Sequence, residues 1–143
     1  VILNGHGGNN FKNMIREMSV HFPDVFLCAL NWYQAADWHQ YFDEPGDHAG
    51  EMETSTLLYI APEWVLPLSE AGNGTARGWT IQAMREGWIT TQRQWTQVTD
   101  DTGVGDPSSA TAEKGEMYLK ACAANIGRFL TDLAAADSLY QST

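Results

Sequence analysis

Apolar residues at Phe11, Met14, Ile15, Met18 and Phe22 follow i, i+3, i+4, i+7 and i+11, which puts all five on one face of a helix. Asn9 or Asn10 can cap its start, and Pro23 stops it. On either side lie apolar runs that do not alternate, residues 1–4 (VILN) and 25–30 (VFLCAL). Both read as strands, the second fully buried. Strand, helix and strand in close succession form a βαβ unit, which implies parallel pairing. The fold class is therefore α/β.

Downstream, residues 50–60 read as a helix ended by Pro62, and residues 88–95 alternate enough to predict a third strand. The last helix spans 111–135, with a stripe of Leu119, Cys122, Ile126, Phe129, Leu130 and Leu133 suited to lying across a sheet. Three loops separate these elements: 31–47, 69–79 and 99–109. The first is aromatic, with Trp32, Tyr33, Trp38, Tyr41 and Phe42, a composition that walls a pocket or packs on a neighbouring subunit. Three strands are few for a doubly wound sheet. The chain also opens inside a strand and without Met, so it reads as part of a longer polypeptide whose sheet is completed from elsewhere.

Composition narrows the partners. Eight Lys and Arg against eighteen Asp and Glu give a net charge of −10, which argues against nucleic acid or an anionic membrane as the main partner. At 143 residues, 43% hydrophobic and 11% aromatic, the chain can build a core and is not disordered. Its longest apolar run, residues 25–30, is far short of the roughly 20 residues that span a bilayer. Cys28 and Cys122 sit in apolar segments as small core residues, and together with the lack of a targeting segment they point to the reducing cytoplasm. A bridge between them is the alternative.

Three segments carry chemistry. Asn4-Gly5-His6-Gly7-Gly8-Asn9 lies at the carboxyl end of the first strand, where open α/β sheets place their ligands. Its spacing matches neither G-x-G-x-x-G nor the G-x4-G-K-[ST] phosphate loop. His6, flanked by glycines, has no apolar face to pack on and is either a ligand or catalytic group or a satisfied structural histidine. The second segment, residues 47–55 (DHAGEMETS), gathers His48 and three carboxylates at a helix start. Glu51 and Glu53 there suit the helix dipole, and the same cluster suits a divalent metal or acid–base work. The third, Gly103-Val104-Gly105-Asp106-Pro107, is a turn entering the last helix.

Together, NGHGGN, DHAGEMETS and TGVGDPSSATAEKGE, in this order before a long C-terminal helix, resemble the creatininase (creatinine amidohydrolase) family. The resemblance covers the chain as one domain, residues 1–143, equivalent to the C-terminal part of the family fold. It implies a three-layer α/β/α sandwich with a mostly parallel sheet, apparently incomplete at its N-terminus, assembled as a homo-oligomer that is often a hexamer. It also implies a two-metal hydrolase site holding zinc, manganese or iron. By this likeness His6 is a metal ligand, His48 the acid/base and Glu53 a catalytic-site glutamate. Creatinine-cleaving members carry a glutamate ligand where this chain has Gly8, and Glu51 is the expected replacement. Trp32, Trp38 and Asp47 are the expected substrate contacts. The family's N-terminal half, in the same or another polypeptide, normally adds a Glu, a His and a metal-bridging Asp. The implied substrate is a small cyclic amide or related cyclic carbonyl compound, cyclic sugar-like ketones included. Two other readings differ in kind: a non-catalytic assembly fragment, and an anion or nucleotide binder built on the Gly5–Gly8 loop.

Overall fold

The computed structural model describes residues 1–140 and divides into two compact units. One comprises Val1–Asp37 with the chain from Leu119 onward, and the other Trp38–Tyr118. The first unit is the βαβ segment. Strand β1 (Ile2–Asn4) pairs in parallel with β2 (Ala29–Asn31), Ile2 opposite Ala29 and Asn4 opposite Asn31, and helix α1 (Lys12–His21) connects them. Both strands end on an asparagine, so two amide side chains lie abreast where the loops begin.

Helix α1 starts one residue later than the asparagine caps suggest. Phe11 is the N-cap, without a side-chain bond of its own, and Asn10 Oδ1 accepts the Lys12 N–H at 3.0 Å from one position further out. The helix ends before Pro23 as expected, with the Phe22 N–H bonded to Met18 O.

Strand β2 is shorter and later than residues 25–30. Val25 and Phe26 are each 51% exposed, and the Val25 N–H turns back to Phe22 O. A run of apolar side chains becomes strand only where a neighbour can pair with it, and β1 offers three residues. The expected third strand at 88–95 is absent among the described residues. Trp88 and Ile89 are exposed, and the alternation there has no ladder partner. Two single-turn helices flank that stretch instead, α3 (Gln82–Arg85) and α4 (Trp95–Val98).

In the second unit, α2 (Glu51–Ile60) follows the aromatic loop, and α5 (Ala112–Ala135) begins after the 99–109 loop. Both start within a residue of the periodicity that predicts them. The unit's core is aromatic: Tyr118, fully buried, meets Phe42 and Tyr41 edge-on at centroid distances of 5.0 and 5.4 Å. Helices α2 and α5 touch through Gly115, where a Cβ would stand 2.0 Å from Ser55 O, so only glycine allows this approach. Ser55 is itself buried, and its Oγ accepts the Thr111 N–H at 3.1 Å, satisfying a donor at the start of α5. No helix among the described residues is long and apolar enough to cross a membrane.

Candidate active-site loops

The loop after β1 is organised by Asn4, which is buried. Its Oδ1 accepts from the His6 N–H at 3.2 Å and from Asn9 Nδ2 at 3.0 Å. Its Nδ2 donates to His6 O at 2.9 Å and to Asn31 Oδ1 at 2.7 Å. This one amide fixes both ends of the glycine turn and ties it to β2, so His6 sits on a defined backbone at the strand ends. The His6 ring folds back over the loop, and its Nδ1 accepts the Gly8 N–H at 2.9 Å. A Cβ at Gly8 would lie 2.9 Å from His6 Cε1, so this posture depends on glycine there. The hydroxyl of Tyr33 reaches the same loop, 3.5 Å from where a Gly7 Cβ would stand.

His48 sits in a turn just ahead of α2. The Asp47 and His48 N–H groups both donate to Val104 O, at 2.7 and 3.0 Å, and the Val104 N–H returns to His48 O at 2.8 Å. The turn and the Gly103–Gly105 loop are thus joined by an antiparallel bridge. Glycine makes the contact possible: a Cβ on Gly105 (φ +115°) would lie 2.4 Å from Gly46 Cα, and one on Gly50 2.7 Å from the same atom. Ala49 takes a left-handed φ of +51°, a conformation costing about 1–2 kcal/mol for a residue with a side chain. Its N–H is satisfied by Glu53 Oε2 at 2.7 Å, a glutamate in the first turn of α2 reaching back as in a capping box. The same oxygen stands 4.0 Å from His48 Nδ1. The imidazole is half-buried and leans on Trp95, centroids 4.8 Å apart and planes tilted by 50°. The Arg93 guanidinium lies over the same indole ring, 4.7 Å from its centroid, and ion-pairs with Asp47.

Glu51 has a different setting. It is 1% exposed, its Oε2 accepts the N–H groups of Asp43 and Glu44 at 3.0 and 3.1 Å, and its Oε1 is held by Lys114. Lys114 also donates to Ser109 O at 3.1 Å and lies 3.6 Å from Asp43 Oδ2. Its ammonium is held above the ordinary lysine pKa, chiefly by the hydrogen bond to Glu51, with the charges of Glu51 and Asp43 adding to it. Both oxygens expected to replace the missing metal ligand are therefore engaged within the protein.

The structure brings His48, Glu53 and Asp47 into one neighbourhood and adds Arg93 and Trp95, which the sequence reading passed over inside a predicted strand. Trp38 stacks on His39 at 3.7 Å, and Trp32 meets Tyr33 edge-on at 6.2 Å. Among the described residues no three His, Cys, Asp or Glu side chains converge as a metal set. His6 offers a single imidazole, and its Nδ1 is already engaged by Gly8. The described residues alone do not build a metal centre. Beside Glu53 opens a cavity of about 480 Å³, lined by Ala49, Glu53, Leu57, Trp64, Leu66 and Leu68 among others. That volume lies within the range of small-molecule sites.

A parallel βαβ start with a histidine loop at its strand ends, and a second histidine turn leading a helix beside an apolar cavity, define an α/β protein. The family described as creatinine amidohydrolase matches residues 1–130, and the chain belongs to this creatininase family. Its structure resembles that of a Bacteroides fragilis protein named for creatinine amidohydrolase, with a TM-score of 0.87 and 42% identity over 98% of this chain and 55% of that one. It also resembles a creatininase W154F mutant, with a TM-score of 0.62 and 18% identity over 91% of this chain and 54% of the other, a likeness of fold. Two relatives are named mycofactocin precursor peptide peptidase. The Mycobacterium ulcerans protein is 33% identical over 80% of this chain and 41% of its own length, and the Mycolicibacterium smegmatis protein 31% over 92% and 50%. The chain thus spans about half the length of the curated relatives it matches.

Proposed function

We propose that this chain forms the His48-bearing part of a creatininase-type hydrolase that cleaves the C–N bond of an amide. The observation that carries this reading is the His48–Glu53 pair, 4.0 Å apart on a turn built by close glycine contacts, with Glu53 lining the 480 Å³ cavity. His48 moves the proton that the departing nitrogen needs, and the Glu53 carboxylate, 4.0 Å from Nδ1, favours the imidazolium formed on the way by its charge. The family's divalent metal (zinc, manganese or iron) belongs to this proposal with His6 as one ligand. The others come from residues outside the described set, including an N-terminal half in the same or another polypeptide. Assembly as a homo-oligomer and a cytoplasmic setting complete the reading.

For the substrate, two forms of amide are in play. Creatinine itself is disfavoured by Gly8 at the position of a family glutamate, which leaves other small cyclic amides. A peptide is favoured by the names of two relatives at 33% and 31% identity and by the apolar lining of the cavity, where Leu57, Trp64 and Leu66 could receive a side chain next to the scissile bond. The test is turnover of cyclic amides and of short apolar peptides by the protein purified with its associated polypeptides. Replacing His48 by Gln should lower turnover about 10²- to 10⁴-fold. Undiminished turnover in that variant, or no turnover of any amide by the native preparation, refutes the proposal.

A further inference from the structure

The backbone of His48 is fixed by its paired hydrogen bonds to Val104, but no hydrogen bond to its ring is found among the described residues. Glu53 at 4.0 Å is beyond hydrogen-bond reach. The face of the imidazole rests on Trp95 instead, at 4.8 Å. Trp95 is in turn covered by the Arg93 guanidinium at 4.7 Å, and Arg93 closes the circuit by pairing with Asp47, the residue before His48. The platform beneath is anchored as well. Trp95 opens α4, whose far end accepts the Arg77 N–H at Val98 O (2.8 Å), while the Arg77 guanidinium holds Asp100 at 2.5 Å.

We propose that Trp95 and Arg93 are positioning residues that set the orientation of the His48 imidazole. The inference rests on the reading of His48 as the proton-transfer group only for its functional consequence, since the contact geometry stands without it. A planar guanidinium suits this role because it stacks on the indole and pairs with a carboxylate at once, which a lysine ammonium cannot do. The Arg93–Asp47 pair is exposed on both sides, 39% and 55%, so it adds little to stability, and its effect lies in where it holds the indole.

The test is the proton spectrum of the His48 ring in the whole chain, with the exposed His21 as internal reference. In the native protein the indole ring current should displace the His48 ring protons upfield of those of His21. Trp95→Leu should abolish the displacement and Trp95→Phe should restore part of it. Arg93→Gln should shrink it while backbone amides of β1 and α5 stay in place, and Arg93→Lys should fail to restore it. Unchanged His48 ring protons in Trp95→Leu, or a native spectrum in Arg93→Gln, overturns the proposal. Should Trp95→Leu not fold, the exposed Arg93 variants decide alone. Turnover separates the two readings: full activity in the His48→Gln variant removes the catalytic assignment and leaves the positioning contact intact.

Discussion

Helix α2 carries two glutamates in its first turn, and they live in different worlds. Glu51 faces inward, sealed among two backbone N–H groups and Lys114. Glu53 faces outward, lining a cavity and standing near His48. Two positions along a helix turn a side chain by roughly 200°, more than enough to change faces. What separates the two roles is burial and partners, because both residues suit the positive end of the helix equally well. The inner face, with Glu51 held by Lys114 and Ser55 against Gly115 of the facing helix, locks α2 to α5. The outer face, with Glu53 behind His48, is left with an exposed carboxylate.

The sharpest way to break this contrast is to remove the inner cation. Lys114→Met leaves Glu51 buried and uncompensated, and should cost about 3 kcal/mol or more in urea unfolding. A loss below 1 kcal/mol would mean that the inner face is no lock. A milder probe is alkali. Because the folded-state pKa of Lys114 is raised, the native state prefers the protonated lysine. That stabilisation is complete below its ordinary value of 10.5 and is lost as pH rises through the raised pKa. The native urea midpoint should therefore fall above pH 10.5 more steeply than that of Lys114→Met, and parallel curves would count against the pair. The smallest effect on stability belongs to the outer face. Glu53→Gln keeps an oxygen for the Ala49 N–H and should change unfolding by less than about 1 kcal/mol, while amide turnover drops tenfold or more. A variant that lost stability and kept turnover would invert the comparison.

Much of the fold was readable because local patterns set it. The periodicity of α1 and α5, the stop at Pro23 and the parallel βαβ order all depend on neighbours a few residues away. Residues 25–28 and 88–95 misled because strand formation needs a partner that no local pattern supplies. The site divides along the same line. His48 and Glu53 are five positions apart around a helix start, so their proximity could be foreseen. The fate of Glu51 depends on Lys114, 63 residues on, and the imidazole's support depends on Arg93 and Trp95. Of the segment Gly103–Gly105, its character as a turn and its place in a family motif were visible. That its glycines let it lie directly against the distant His48 turn was not.

The fold-back of His6 onto the Gly8 amide has one more consequence. A side chain at position 8 and this ring posture exclude each other, because the first carbon of any such side chain would occupy the space the imidazole now fills. A glutamate at position 8, as the family resemblance leads one to expect, would force the His6 imidazole off the loop. The bare Gly8 and the folded-back imidazole are thus one feature of this loop, which keeps its histidine parked on its own backbone.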